Sequence, residues 1–233
     1  MYSYELVNNH YVVEIDGQKF LIDTGSPFSF WISHSIKEIT IYGNKYSLQS
    51  RPIYFEVDEI NNLVGVMVDG LIGMDIISKT SLTIYSGRPK GIIEFSEVPD
   101  WIVNELIKKN YKYTEVPMTT RWPLMVQVCS NLMTGIFVVD TGAKYGYGVS
   151  GLFYKQTAFD HVSDYNPSLG HLDSDIFHLE IVIGGQKKTI DVCSNSTVAS
   201  TLIHMGAFMI GSVSSLYNQV CSLDTKKGKL ILI

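Results

Sequence analysis

The chain carries the same segment twice. Residues 11–26 read YVVEIDGQKFLIDTGS, and residues 124–143 read LMVQVCSNLMTGIFVVDTGA. Each is an alternating apolar strand, a short turn, a second apolar strand, and then Asp-Thr-Gly followed by a small residue. A second pair follows downstream, VDGLIGMDIISKTSLTIYSGRPKGIIEF (68–95) and AFMIGSVSSLYNQVCSLDTKKGKLILI (207–233). Both contain two large apolar residues before a glycine, Leu71-Ile72-Gly73 and Met209-Ile210-Gly211. Both end in a hairpin pattern around a basic, glycine-containing turn, SGRPKG and TKKGK. A duplication of this extent restricts the fold to two equivalent units, because each copy must make the same turns and bury the same face.

Between the copies, DWIVNELIKKN (100–110) is the one stretch with a helical pattern. Asp100 is its expected N-cap, Ile102, Leu106 and Ile107 share a face, and Lys108 and Lys109 suit its C-terminal end. Aromatic and β-branched residues dominate elsewhere, and Gly43-Asn44 and Gly184-Gly185 mark further hairpins. The expected class is all-β, with an N-terminal lobe over 1–97, a connecting helix over 98–112 and a C-terminal lobe over 113–233. MYSYEL, GIIEF, KYTEVPM and KLILI read as strands of a sheet shared between the lobes. The stretch from Val192 to Leu223 holds no charged residue, but Ser, Thr, Asn, Gln and His204 interrupt it. It therefore fails as a membrane span and reads as a buried strand pair.

Composition narrows the function classes. Of 233 residues 45% are apolar and 18% charged, which is the balance of a globular chain. Eighteen Lys and Arg against 23 Asp and Glu give a net charge of −5 with no basic cluster, which argues against nucleic-acid and anionic-membrane partners. Cys129, Cys193 and Cys221 are odd in number and far apart, fitting neither a disulfide framework nor a zinc site. The histidines, at 10, 34, 161, 171, 178 and 204, lack ligand spacing, so no metal and no cofactor is expected. The start, MYSYELVNNH, has neither a basic nor an apolar leader region, and the expected location is cytoplasmic.

A lone Asp-Thr-Gly arises by chance in about one chain in twenty of this length. It is ordinarily a turn, with Asp capping it and Gly supplying a positive φ. Two copies at equivalent places are a different matter, because twofold packing brings Asp23 and Asp140 face to face. Carboxylates about 3 Å apart cannot both ionise, so they share a proton and titrate as a pair. The charged member can take a proton from water while the protonated one polarises a carbonyl. Thr24 and Thr141 supply hydroxyls able to cross-link the two loops, and Gly25 and Gly142 let backbone N–H groups approach the carboxylates. Ser26 is placed to hydrogen-bond Asp23 through its hydroxyl, which Ala143 cannot do for Asp140.

FLIDTGS (20–26) and FVVDTGA (137–143), together with LIG (71–73) and MIG (209–211), resemble the aspartic peptidases of the pepsin and retropepsin clan. The second motif, ending in Ala143, resembles the retroviral form, and the first, ending in Ser26, the pepsin form. The whole chain resembles two retropepsin-like units in tandem. The resemblance implies a two-lobed aspartic-protease fold with pseudo-twofold symmetry. It also implies an endopeptidase acting on protein or peptide, monomeric because both acids lie on one chain. By carry-over, Asp23 and Asp140 are catalytic, Thr24 and Thr141 interlock beneath them, and Gly25, Ser26, Gly142 and Ala143 support the loops.

The halves differ where such a family keeps its flap. Forty-four residues separate Asp140 from Gly184 in the hairpin HLEIVIGGQKKTIDVC (178–193), but only 20 separate Asp23 from Gly43 in ITIYGNKYSL (39–48). The expectation is a single flap from the second lobe, built from a helix-like GLFYKQTAFDHV (151–162) and a mobile loop around YNPSLGHLD (165–173). Phe28, Phe30, Trp31, Tyr145 and Tyr147 are candidates for apolar substrate pockets or, equally, for aromatic core. Lys144 either contacts substrate, lowering a carboxylate pKa, or points to water. A peptide-binding or scaffold module with an idle acid pair, and a processing enzyme with one partner substrate, remain the rival readings.

Overall fold

The structure, a computed structural model, describes residues 1–32, 38–53, 55–86 and 90–233. His34 and the centre of the SGRPKG turn, 87–89, lie outside the described residues. Strand makes up 46% of the chain and helix 18%, so the fold is mostly β.

The duplication is realised as one five-strand order used twice. In the first half it runs His10–Ile15, Gln18–Ile22, Gly70–Ile72, Phe30–Trp31, Gln49–Ser50. In the second it runs Met125–Ser130, Thr134–Val139, Met209–Gly211, Gly146–Gly148, Gln186–Ser194. The successive pairings are antiparallel, parallel, antiparallel and parallel in both. The strand before each Asp-Thr-Gly is central in its sheet and covered on both faces, which is why Phe20-Leu21-Ile22 and Phe137-Val138-Val139 are apolar without alternation. Phe20, Ile22, Phe137 and Val139 enter one common core. Leu21 and Val138 point the other way, into two separate outer cores.

The paired Leu-Ile-Gly and Met-Ile-Gly triplets are one residue out of step. Asp23 N–H donates to the Ile72 carbonyl at 3.0 Å, whereas Asp140 N–H donates to Gly211 at 2.9 Å. Gly73 therefore lies past its strand, at the start of the helix Met74–Thr80, while Gly211 is the last residue of its strand, against Gly146.

The strands expected to join the halves do so. The outer part of an eleven-stranded sheet runs Thr114–Pro117, Lys229–Leu232, Val220–Asp224, Leu82–Tyr85, Lys90–Glu94, Tyr2–Val7. Its centre is the antiparallel seam between Leu82–Tyr85 and Val220–Asp224, on which the two halves are related in reverse order. Thr83 and Ser222 hydroxyls meet there at 2.8 Å. The second half closes further, since Met125–Ser130 also pairs with Gly170–Ile183 through Cys129↔Val182 and Ser130↔Ile181.

The helices depart most from expectation. Asp100–Lys108 forms, but Pro99 takes the N-cap position, and Val103 rather than exposed Ile107 joins Ile102 and Leu106 against the core. Three more helices are present, Val57–Val64, Met74–Thr80 and Ser196–His204. The last corrects the strand-pair reading of Val192–Leu223. The Asn195 side chain accepts from the N–H groups of Thr197 and Val198, a strong N-cap, and Val198, Ala199 and Leu202 form the buried face. Val57–Val64 carries Asp58 and Glu59 in its first turn and ends at Gly65, φ 86°. Residues 151–162 are not one helix: a 3-10 turn covers Ser150–Phe153, and a strand, Asp160–Asn166, follows. No helix among the described residues is long and apolar enough to cross a membrane.

Ile84 is fully buried at the seam, opposite Cys221. Ile84→Ala should cost about 2–5 kcal/mol in chemical denaturation. Tryptophan fluorescence and circular dichroism should still report one coincident transition, because the sheet joins both halves.

Candidate active site

Each Asp-Thr-Gly leaves its central strand at its C-terminal end, and the two meet between the halves. Thr24 N–H donates to Thr141 Oγ1 at 3.1 Å, and Thr141 N–H donates to Thr24 Oγ1 at 3.0 Å. Each hydroxyl in turn donates across the axis, Thr24 to the Val139 carbonyl at 2.8 Å and Thr141 to the Ile22 carbonyl at 2.9 Å. Both threonines are fully buried. A threonine hydroxyl accepts and donates on a single atom, as serine's does, and leaves a methyl to pack, which serine does not.

Neither Gly25 nor Gly142 has a positive φ, so turn conformation does not explain them. Space does. A Cβ on Gly25 would fall 2.5 Å from Asp140 Cγ, and one on Gly142 2.5 Å from Asp23 Cγ. Each glycine lies against the opposite acid. The Gly25 and Ser26 N–H groups donate to Asp23 Oδ1 at 2.8 and 3.1 Å, and the Gly142 N–H to Asp140 Oδ1 at 2.9 Å. The Ser26 hydroxyl does not reach Asp23 as expected; it donates to the Phe28 carbonyl at 2.8 Å, and the Ser26 backbone N–H takes its place.

The two carboxyls are close enough to hydrogen-bond through one shared proton. Burial pushes the Asp23 carboxyl well above the usual range, and the Asp140 charge and this bond push it further, against the Gly25 and Ser26 N–H groups. Burial also raises Asp140, opposed by the bond from Asp23 and by the Gly142, Gly25 and Ala143 N–H groups. The pair thus titrates as a unit, with one proton shared between the two carboxyls. The expected inequivalence is present in the donors, since Asp23 accepts from two N–H groups of its own loop and Asp140 from one, and the serine hydroxyl plays no part in it.

The acids form the floor of a cavity of about 300 Å³. Ile60 and Leu63 of one helix wall it on one side, and Val198 and Leu202 of another on the opposite side. Its roof is the tip of the hairpin Asp160–Asn166/Gly170–Ile176, from Tyr165 to Leu169, where a loop was expected. Tyr165 packs on the first-half cluster that holds Ile60 and Val64, and His171 Nε2 lies 3.8 Å from Glu59 Oε1. The second half's hairpin therefore reaches over the acids onto a first-half helix. In the first half, the hairpin Glu38–Ile41/Asn44–Ser47 lies apart from this cavity.

Of the candidate aromatics, Phe28 (51% exposed), Phe30 and Tyr147 line the cavity. Trp31 does not: it is 3% exposed and packs edge-on against Phe20 at 5.4 Å, a core residue. Tyr145 lines a smaller cavity behind the second loop, and Lys144 borders both, its ammonium 5.1 Å from the Tyr145 ring. Sequence reasoning missed Asp164, whose carboxylate accepts from Tyr147 OH at 2.8 Å and whose pKa burial raises. It stands 24 residues after Asp140 on a strand with no motif of its own. Among the described residues, no group of three His, Cys, Asp or Glu gathers that could hold a metal. No protein-family model and no curated protein matches the chain.

His10 sits beneath the second loop. It is fully buried, and neither ring nitrogen meets a partner in hydrogen-bond geometry. Burial lowers its pKa to about 4, outweighing the nearby Val7, Asn8 and Gly142 carbonyls, with the Lys144 charge acting in the same direction as burial.

Three outcomes follow from these energies. Thr24→Val strands the Thr141 N–H and the Val139 carbonyl, and should lower stability by about 2–5 kcal/mol. Asp23 is raised above its unfolded value, so its stabilising share is present at low pH and lost as pH rises; Asp23→Asn should therefore raise stability at pH 8 by about 1–2 kcal/mol. His10 is lowered, so the unfolded chain binds the extra proton first, and stability should fall by about 3 kcal/mol from pH 7 to pH 4. Denaturation midpoints across that range check this, and His10→Phe should flatten the fall.

Proposed function

We propose that the chain is an aspartic endopeptidase with a two-lobed, pseudo-twofold, pepsin- and retropepsin-like fold contained in one polypeptide. The observation that carries this reading is the facing pair Asp23 and Asp140 at the floor of a cavity, each against the other half's glycine and inside a reciprocal threonine lock. Binding alone has no use for two facing, half-buried carboxyls, whose like charge and partial desolvation oppose folding.

In the proposed reaction, water lies between the acids and the Asp140 carboxylate takes its proton as the oxygen attacks the peptide carbonyl. Asp23 gives its proton to the carbonyl oxygen, so a gem-diol forms without net charge. Asp140 then returns its proton to the amide nitrogen and Asp23 recovers one from the diol. The C–N bond breaks, leaving a carboxylic acid and an amine. Gly25, Ser26, Gly142 and Ala143 hold the carboxyls in place throughout, and the hairpin tip limits access of bulk water. Phe28 and the flanking helix residues contact substrate side chains. The substrate is a protein or peptide and not nucleic acid, in keeping with the net charge of −5. Both acids and their shared sheet lie in one chain, which supports a monomer, and the proposed setting is cytoplasmic.

A second reading, a peptide-binding module with an idle acid pair, draws on one observation: the hairpin tip is seated on the opposite helix, over the acids. Mass spectrometry of a denatured-peptide digest from pH 3 to 8 separates the two. Endopeptidase activity gives cuts with a bell-shaped profile that vanish in Asp23→Asn and in Asp140→Asn. Its basic limb should lie far above an ordinary carboxylate's, because Asp23 keeps its proton. Absence of cuts from folded protein, with peptides retained equally by wild type and both variants, would establish the binding module instead.

A further inference from the structure

The threonine lock holds the two acidic loops from beneath, and a second cross-half pair of hydrogen bonds holds them from outside. The turn joining Tyr2–Val7 to His10–Ile15 contains Asn8 and Asn9, with φ 48° and 67°. Asparagine tolerates this left-handed conformation, which a two-residue hairpin turn requires. Asn9 Nδ2 donates to the Lys144 carbonyl at 3.2 Å, in the loop that follows Asp140. The equivalent connection in the second half joins Thr114–Pro117 to Met125–Ser130 and contains Trp122. Trp122 Nε1–H donates to the Gly25 carbonyl at 2.9 Å, in the loop that follows Asp23. The two connections share neither length nor sequence, yet each sends one side-chain N–H across the axis to the other half's acidic loop.

The Trp122 contact reaches further than its counterpart. The Gly25 carbonyl and the Ser26 N–H belong to one peptide unit, and that N–H donates to Asp23 Oδ1 at 3.1 Å. A donor on the carbonyl end polarises the unit and strengthens the bond at its N–H end. We propose that Trp122 is a positioning residue for Asp23, acting through the Gly25–Ser26 peptide, and that Asn9 is its counterpart for the second loop. Trp122 is itself held, since Thr119 Oγ1 donates to the Pro123 carbonyl at 2.8 Å and accepts from Met125 N–H at 2.7 Å. The Lys144 carbonyl lies beyond the N–H groups that reach Asp140, so Asn9 sets loop position and does not tune the carboxylate. This assignment rests on Asp23 and Asp140 being the reacting pair only for its kinetic consequences; the polarised chain itself exists whether or not the chain is a peptidase.

The test has one arm that needs no activity. The Trp122 indole N–H resonance, assigned by its loss in Trp122→Phe, should shift with pH in wild type as the acid pair titrates, and should stay still in Asp23→Asn. The kinetic arm uses Trp122→Phe, which keeps an aromatic ring and removes the donor. Its kcat on a cleaved peptide should fall by about 10- to 100-fold with KM changed less than about twofold, the signature of a displaced group. Its basic limb should also move to higher pH, because Asp23 loses part of what stabilises its charge. Asn9→Gly, which keeps the positive φ, should lower kcat without moving the limb. An indole resonance that ignores the titration, or a Trp122→Phe enzyme with unchanged kcat and limb, overturns the proposal. A titrating resonance in a protein that cleaves nothing keeps it and removes the peptidase reading.

Discussion

Two carboxyl groups have been brought face to face on the half-buried floor of a cavity, and most of the structure around them offsets that cost. A buried like-charged pair is tolerated only as one acid and one carboxylate, and only if the remaining lone pairs find donors. Those donors are backbone N–H groups, because backbone can be aimed without adding another charge. Aiming it requires each loop to pass close to the other half's acid, which excludes a Cβ at Gly25 and Gly142. The close approach is fixed by the threonine lock, and the lock works only if both loops leave their central strands at the same height. The parallel pairings Ile22↔Ile72 and Val139↔Gly211 set that height, and the seam between Leu82–Tyr85 and Val220–Asp224 keeps the halves in register. Acid pair, loops, strands and seam form one chain of constraints.

Symmetry ends at the rim of the site. The outer cores are built by analogous means, with Phe30 and Tyr147 seven residues after their acids and a helix against each. Above them the halves diverge. The second half extends one strand to fourteen residues, Gly170–Ile183, and folds its first half back as the hairpin over the acids. The first half gives the tip a seat on the Val57–Val64 helix. A cleft covered from one half and seated on the other has a direction, and under the proposed function an extended peptide would meet different partners on the two sides of the acid pair. The acids share this asymmetry, since Asp23 accepts two backbone N–H groups of its own loop and Asp140 one.

The sequence made the acid pair legible because its chemistry is local and written twice. Asp-Thr-Gly after an apolar strand states where the carboxyl, the hydroxyl and the gap must be, and every strand expected at the shared sheet is found in it. Helices were less legible where a tertiary role replaces periodicity. Ser196–His204 is capped by Asn195 within a stretch so uniformly uncharged that its apolar face has no contrasting polar face to reveal it. The register slip between Gly73 and Gly211 was invisible because near-identical triplets suggest identical pairing, while the ladder depends on the element next to each strand, a helix in one case and a 3-10 turn in the other. Asp164, His10 and Trp122 carry no pattern at all. Their importance comes from which loop they touch, and only the closed fold brings them there.

His10 and the acid pair place opposite demands on pH. A shared proton on Asp23 is retained in acid and lost as pH rises, so the chemistry proposed for the pair is favoured on the low side of its basic limb. A histidine buried without a partner makes the reverse demand, because the folded state resists its protonation and the unfolded chain does not. The fold therefore loses stability in the same acid range in which a deeply acidic hydrolase would work. Both demands are met together only between mildly acid and neutral pH. In that interval His10 stays neutral in the fold, and the acid pair keeps the proton that burial and like charge hold on it. Burial produces both shifts, one upward in an acid and one downward in a base.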